Sequence, residues 1–160
     1  MQATLTLPMW AVPTDEVEPV LRPWQKRVVL AEDDDETRRL IAGTLRARGY
    51  EVLEAIDGSD LIDWIQRLTC SGAFGGQPTA VIVSDNRMPL LEGLDVIATL
   101  GYLDWQMPFI LMTAYGSEDT CGLAHDLGVS EVLLKPFAID ELERAIERAV
   151  ETHRRAMEQW

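Results

Sequence analysis

The chain has 160 residues, 47% of them apolar, which is enough material for one domain with a single hydrophobic core. Its 27 acidic residues outnumber 14 basic ones and give a net charge of −13, a balance that repels phosphate backbones and argues against nucleic acid as a direct partner. The sequence carries no signal peptide or membrane span, and its two cysteines, Cys70 and Cys121, do not indicate a disulfide framework. We therefore expect a cytoplasmic protein with no membrane partner.

The composition of residues 1–26 predicts an extended arm. Four of the eight prolines fall in this stretch and resist both helix and central strand; they are Pro8, Pro13, Pro19 and Pro23. The interpretation favoured by composition is a flexible arm. The alternative is a segment anchored by Trp10 or Trp24 that docks on a partner or packs on the protein itself.

A regular alternation of strands and helices begins at Arg27. The apolar run at residues 28–31 predicts a strand buried on both faces. A helix follows from about residue 35 to residue 48 and ends at Gly49. Its predicted inner face consists of Leu40, Ile41, Thr44 and Leu45.

The alternation continues to the end of the chain. The predicted elements are a strand at residues 50–55, a helix through 61–68, a strand at 80–85, a helix from 93, a strand at 109–112, a helix at 117–127, a strand at 131–134 and a last helix from 139 to the mid-150s. A glycine-rich loop at residues 70–78 precedes the third strand. Five strand–helix units predict an α/β fold, a doubly wound five-stranded parallel sheet with helices on both faces, over residues 27–157.

Polar residues stand where four of the predicted strands end. Glu32 and Asp33 follow the first strand, and Asp85 ends the third. Thr113 ends the fourth strand, and Lys135 follows the fifth. Because open α/β sheets bind ligands beyond the carboxyl ends of their strands, we expect these side chains around one cleft. Carboxylates suit Mg²⁺ and can attack phosphorus, while a lysine neutralises charge on a transferred group.

Other charged residues receive structural interpretations. Asp34, Asp35 and Glu36 are typical acids of a helix N-terminus. His125 and His153 lie on predicted helices without other metal-ligand residues at a suitable spacing. They are therefore interpreted as surface or hydrogen-bonded side chains.

The strand-end motifs, in this order, resemble the receiver domains of two-component response regulators, the CheY-like family, over about residues 27–150. The matching segments are Glu32-Asp33, Ser84-Asp85-Asn86-Arg87-Met88-Pro89 with Gly93 downstream, Thr113-Ala114 and Leu134-Lys135-Pro136-Phe137. The resemblance implies a flavodoxin/CheY-like fold and a Mg²⁺-dependent phosphoprotein. It also implies phosphorylation by a histidine kinase or a phosphotransfer protein, with no enzymatic activity beyond this transfer and slow autodephosphorylation.

The resemblance further implies a role for each matching residue. Asp85 would be the phosphoacceptor. The metal ligands would be the side chains of Glu32, Asp33 and Asp85 and the backbone carbonyl of Arg87. The phosphoryl group would be bound, and the switch operated, by Thr113, Ala114 and Lys135. The Lys135–Pro136 peptide bond is often cis in such domains.

This sequence departs from the family pattern at two places. The family usually has an aromatic residue three positions before the lysine, and Val132 stands there instead. The residues two positions after Asp85 and Thr113 are Arg87 and Tyr115, whose size bears on the rate of dephosphorylation.

The resemblance also implies a partner surface. An unidentified output protein would bind through the fourth helix, the fifth strand and the last helix, and homodimer formation is left open. The last helix runs to Trp160 without a linker, from which we expect a stand-alone receiver rather than a piece detached from an effector domain.

Two other functions compete with this interpretation. Residues 33–37 also resemble the first motif of haloacid-dehalogenase-type phosphatases, with Asp33 as nucleophile. That family needs a further acidic strand end after the lysine, whereas Lys135 leads directly into Pro136 and the final helix. The second alternative is a receiver that is never phosphorylated and serves as a scaffold.

Overall fold

The computed structural model describes residues 26–70, 80–101 and 107–159. The predicted N-terminal arm lies outside the described residues except for Lys26. Most of the predicted glycine-rich loop lies outside them as well. Cys70, which was predicted to open that loop, is instead the last residue of a helix.

Five strands and five helices alternate along the described chain. The strands are β1 (Arg27–Ala31), β2 (Glu51–Ala55), β3 (Val81–Asp85), β4 (Phe109–Thr113) and β5 (Glu131–Leu134). The helices are α1 (Asp35–Ala47), α2 (Gly58–Cys70), α3 (Gly93–Leu100), α4 (Glu118–Asp126) and α5 (Ile139–Glu158). All strands are parallel, in the order β2-β1-β3-β4-β5. The predicted doubly wound α/β fold is confirmed.

The sheet is covered by a hydrophobic core on each face. Successive strand residues point to opposite faces, so Val28 and Leu30 of β1 pack with α1 and α5. Val29 and Ala31 pack on the other face, with residues of α2, α3 and α4. Burial on both faces explains why the strands are continuous apolar runs rather than alternating patterns.

The inner face of α1 differs from the prediction. Leu40 is 70% exposed, and the hydroxyl of Thr44 donates a hydrogen bond to the Leu40 carbonyl oxygen at 2.8 Å. The buried residues are Arg38, Ile41, Ala42 and Leu45. These positions follow the three- and four-residue spacing of one helical face, whereas Leu40 and Thr44 turn outward. The prediction is confirmed for Ile41 and Leu45 and wrong for Leu40 and Thr44, because it grouped apolar residues and passed over a buried arginine.

Helix α5 has one buried face. Its buried residues are Leu142, Ala145, Ile146, Ala149 and Val150. On the outer face Arg155 donates to Glu151, one helical turn away, at 2.7 Å. Among the described helices, none combines the length and the apolar character needed to cross a lipid bilayer.

Gly93 fixes the start of α3 close to the end of β3. A Cβ atom at this position would lie 2.7 Å from the Asp85 carbonyl oxygen and 2.8 Å from Leu111 Cδ1. The Gly93 amide donates to the Asn86 carbonyl oxygen at 2.9 Å, closing the loop that follows Asp85. Any side chain at position 93 would therefore push on the backbone that carries Asp85.

Candidate functional site

The strand order brings the predicted site residues to one edge of the sheet. β1 and β4 lie on either side of β3, and the register pairs Ala31 with Ser84 and Asp85 with Met112. The Lys135 amide donates to the Thr113 carbonyl oxygen at 2.8 Å, which joins the end of β5 to the end of β4. The polar residues that follow these strands therefore surround one position, as expected for a parallel sheet.

Three carboxylates converge at this edge. One oxygen each from Glu32, Asp33 and Asp85 lies within 4.8 Å of the others. Glu32 and Asp85 are buried, with 2% and 7% of their surfaces exposed, while Asp33 faces solvent. Mg²⁺ binds oxygen at about 2.1 Å, so two direct ligands lie no more than about 4.2 Å apart. The cluster fits such an ion if one of the acids acts through a water molecule.

Lys135 supplies the positive charge in the cluster. Its Nζ lies 2.7 Å from Glu32 Oε2 and 3.0 Å from Asp85 Oδ1. Burial raises the pKa of Glu32, and the bond to Lys135 offsets this only in part. Burial acts to lower the pKa of Lys135, but its bonds to both carboxylates outweigh that effect and raise it. The ammonium is therefore held in its charged form between the two buried acids.

Thr113 and Ala114 continue the site from β4. Thr113 is buried with 2% of its surface exposed, and its hydroxyl oxygen accepts a hydrogen bond from the Tyr115 amide at 3.1 Å. Ala114 is exposed at the start of the loop after β4. The Lys135–Pro136 peptide bond, on the neighbouring strand end, is cis.

Arg87 and Tyr115 are paired in the structure. The guanidinium carbon of Arg87 lies 4.1 Å from the centroid of the Tyr115 ring, a cation–π contact between the loops after β3 and β4. Both side chains are exposed, Tyr115 by 63%. The sequence predicted that both residues border the site but did not predict that they touch.

Val132 lies in the middle of β5, opposite Leu111 of β4 in the register. It is half-buried against the core formed with α2, α3 and α4. The aromatic position of the family pattern is thus occupied by a small residue that packs on the sheet.

The two histidines lie away from the acidic cluster. His125 is exposed beside Asp126 on α4, and His153 is half-buried on α5, where burial lowers its pKa. Across the three described segments, the only group of metal-ligand side chains is Glu32, Asp33 and Asp85.

Sequence reasoning missed Arg38. Its side chain is buried, with 6% of the residue exposed, and donates to the backbone carbonyl oxygen of Glu32 at 2.8 Å. It also donates to Glu54 on β2 and to Asp35. The available signal was its position three residues before Ile41, on the buried face of an amphipathic helix.

Comparison with known proteins places these features in a family. The family described as the response regulator receiver domain matches residues 28–147. The transcriptional regulatory protein PdtaR of Mycobacterium tuberculosis is 33% identical over 130 residues, which cover 81% of this chain and 58% of PdtaR. Regulatory protein AtoC of Escherichia coli is 28% identical over 125 residues, covering 78% of this chain and 25% of AtoC. This chain thus spans about half, or less, of these relatives.

Solved structures show the same fold. A response regulator receiver domain protein from Clostridium thermocellum superposes with a TM-score of 0.67 and 25% identity, covering 79% of this chain and 94% of that one. The signal receiver domain of a putative Luxo repressor protein from Vibrio parahaemolyticus gives 0.69 and 25%, covering 81% and 92%.

Proposed function

This chain belongs to the response regulator receiver domains of two-component systems, and from that premise we propose that it accepts a phosphoryl group on Asp85. The donor is a histidine kinase or a phosphotransfer protein, and Mg²⁺ is the cofactor. The observation that carries the proposal is the position of Asp85, which is buried, 3.0 Å from the Lys135 ammonium and grouped with Glu32 and Asp33.

The side chains of the site suit attack by a carboxylate on phosphorus. A carboxylate oxygen of Asp85 forms the new bond to phosphorus while the bond from phosphorus to the donor's imidazole nitrogen breaks, and that nitrogen keeps the electron pair. In this proposal Lys135, whose ammonium lies 3.0 Å from Asp85, and the hydroxyl of the buried Thr113 would bind the phosphoryl oxygens.

The residues that would hold Mg²⁺ are the same acids. Asp33 and Asp85 would bind it directly with the backbone carbonyl of Arg87, and Glu32 would act through water. When bound, the ion neutralises negative charge on the group being transferred. The three carboxylates also repel one another without it, which favours binding of a divalent cation.

Signal output is proposed to depend on the loop after β4. The Tyr115 amide bonds to the hydroxyl of Thr113, so a movement of Thr113 toward a phosphoryl group is transmitted to that loop. A Cβ atom at Gly116 would meet the end of the exposed Leu134 side chain, which would have to move, so this loop contacts the end of β5. In the family, the aromatic residue at the position of Val132 turns inward when the phosphoryl-binding threonine moves. The side chain of Val132 is short and has a single χ angle, so it cannot make that rotation. The loop would then alter the surface formed by α4, β5 and α5, where an output protein or a second copy binds.

The proposal places the protein in the cytoplasm as a signalling protein. Its own phosphorylation and slow autodephosphorylation are the only reactions it catalyses. Residues 27–157 form the receiver domain in this proposal, and residues 1–26 are an arm attached to it.

Labelling with a small phosphodonor tests the proposal. Incubation of the whole chain with acetyl phosphate and Mg²⁺ should add one phosphoryl group, stable in acid and released by base, as expected for an acyl phosphate. Chelation of the metal should prevent labelling, and p-nitrophenyl phosphate should not be turned over. Failure to label with either acetyl phosphate or a phosphorylated donor protein would support the scaffold function instead, and steady turnover of the ester would support the phosphatase.

The pair formed by Arg87 and Tyr115 is expected to prolong the phosphorylated state. Hydrolysis needs a water molecule in line with the bond from Asp85 to phosphorus, and the stacked side chains bridge the two loops beside it. Arg87→Asn combined with Tyr115→Ala should speed decay about fivefold, because an exposed cation–π contact contributes ~1 kcal/mol. The measurement is the decay of the phosphoryl label after removal of the donor.

The single variants provide the control for this pair. Either change breaks the stack, so each single variant should already show most of the acceleration, and the two effects should not add. Effects that add, or a decay rate that stays unchanged in the double variant, would show that the contact does not restrict water.

A further inference from the structure

Arg38 is an unusual residue to find inside this fold. Among the described residues, only Glu32, Arg38 and Asp85 are both charged and buried. Two of these are acids of the proposed phosphorylation site, and the third is a guanidinium on the inner face of α1. Burying a charge is costly unless all its hydrogen bonds are satisfied, so the contacts of Arg38 indicate what it is there to hold.

Three groups from different parts of the chain accept hydrogen bonds from Arg38. Nη1 donates to the backbone carbonyl oxygen of Glu32 at 2.8 Å, and this bond is buried. Nε donates to Glu54 Oε2 at 3.3 Å on β2, and Nη2 donates to the carboxylate of Asp35 at the start of α1. The planar guanidinium can serve all three at once because its donors point in fixed directions.

The bond from Arg38 to the Glu32 carbonyl oxygen acts on the acidic segment, which consists of Glu32 and Asp33 between β1 and α1. The carbonyl of Glu32 belongs to the peptide group that joins Glu32 to Asp33, so its orientation sets the directions in which both side chains leave the backbone. The Glu32 amide is held on the other side by the Ala55 carbonyl oxygen at 3.2 Å. Arg38 thus completes the fixation of the segment between β1 and α1.

We propose that Arg38 is a positioning residue that preorganises the Glu32–Asp33 segment and thereby sets the affinity of the site for Mg²⁺. The inference rests on the proposed function, since it concerns the metal site of that function. Without Arg38 the segment loses a buried hydrogen bond, and the mutually repelling acids can move apart. Residues that orient metal ligands through hydrogen bonds commonly change metal affinity by about 10- to 100-fold.

Arg46 offers a matched control on the same helix. It also pairs with Glu54, at 2.7 Å, and donates to a backbone carbonyl oxygen, that of Val52, at 2.7 Å. It is exposed, however, and its bonds to Glu54 and Val52 do not involve Glu32 or Asp33. A variant of Arg46 therefore removes the same kind of side chain from the same partner, Glu54, without affecting Glu32 or Asp33.

The first experiment is a calorimetric titration of Mg²⁺ into the full chain at constant ionic strength, with circular dichroism to confirm that each variant is folded. Arg38→Met should weaken Mg²⁺ binding about tenfold, at the lower end of the range for ligand-orienting residues. Arg38→Lys should recover part of the loss, because lysine can still donate one hydrogen bond to the Glu32 carbonyl. Arg46→Met should bind Mg²⁺ as the wild type does.

A second readout separates positioning from a general loss of structure. The rate of labelling by acetyl phosphate is measured against Mg²⁺ concentration. Arg38→Met should raise the half-saturating Mg²⁺ concentration by the same factor as the calorimetric change, while the rate at saturating Mg²⁺ stays near the wild-type value. If Arg38→Met does not fold, Glu54→Gln loosens the same guanidinium and should give a smaller shift in the same direction.

The outcomes distinguish this inference from the proposed function. Wild-type Mg²⁺ affinity in folded Arg38→Met, or an equal loss in Arg46→Met, overturns the role of Arg38. If Asp33→Ala binds Mg²⁺ normally as well, the metal site itself is misplaced and the proposed function needs revision. If Asp33→Ala loses Mg²⁺ and Arg38→Met does not, only the positioning role falls.

Discussion

Asp85→Ala is expected to abolish phosphorylation by acetyl phosphate, with labelling reduced at least about 100-fold, since replacing a group that acts directly as the nucleophile removes the covalent step altogether. In the proposed function this buried carboxylate, 3.0 Å from the Lys135 ammonium, receives the phosphoryl group. The measurement is the mass of the intact chain after incubation with donor and Mg²⁺.

The same variant should remain folded, which makes the loss interpretable. The nearby charge of Asp85 contributes to raising the pKa of Glu32, a sign that the two buried carboxylates repel each other. Removing Asp85 relieves this repulsion and leaves Lys135 paired with Glu32 at 2.7 Å. The free energy of unfolding should therefore stay the same or rise by about 1 kcal/mol, as is common when a functional residue is removed.

Two outcomes would contradict the assignment of Asp85. Persistence of the label in Asp85→Ala means that another side chain is the acceptor. Asp33 is the candidate in that case, because it was the nucleophile of the phosphatase alternative. Loss of the label in Asp33→Ala even at saturating Mg²⁺, with retention in Asp85→Ala, would identify it.

Asp33→Ala should weaken Mg²⁺ binding by on the order of 30-fold or more, because it removes one of three protein carboxylates from a site made of hard oxygen ligands. Asp33 is exposed, and Lys135 pairs with Glu32 and Asp85 instead, so removal of Asp33 leaves the lysine with both of these partners. The variant should fold as the wild type does. Calorimetric titration of Mg²⁺ at fixed ionic strength gives the affinity.

Glu36→Ala is the control for net charge. Glu36 is exposed in the first turn of α1, three residues further along the chain, and carries the same charge. Its removal should change Mg²⁺ affinity by less than about twofold, since salt screens exposed charges. Equal losses in Asp33→Ala and Glu36→Ala would mean that the acidic surface attracts the ion generally and that no defined site exists.

The fold and the members of the site were predictable because their signals are local. A buried parallel strand shows as a short apolar run such as Val28-Val29-Leu30, and a helix shows as apolar residues at three- and four-residue spacing. Since parallel strands end at one edge of a sheet, a polar residue directly after such a run is placed at the site by the chain itself. Glu32, Asp85 and Lys135 were found in this way.

Contacts between side chains depend on which elements become neighbours in space. The burial of Arg38 depends on the packing of α1 against the sheet, because its partner Glu54 belongs to β2 and lies 16 residues away in sequence. The contact between Arg87 and Tyr115 joins two loops that are adjacent only because β3 and β4 pair. The exposure of Leu40 likewise depends on the rotation of α1 about its own axis as it packs against neighbouring elements.

The sequence by itself thus determined the order of strands and helices, the parallel sheet and the set of polar residues at its carboxyl edge, since each follows from spacing along the chain. The tertiary structure alone decided that Lys135 pairs with Glu32 and Asp85, that Arg38 holds the segment between β1 and α1, and that Arg87 stacks on Tyr115. The reason is physical: periodicity is a property of one element, whereas burial and pairing of charges are settled by the packing of several elements together.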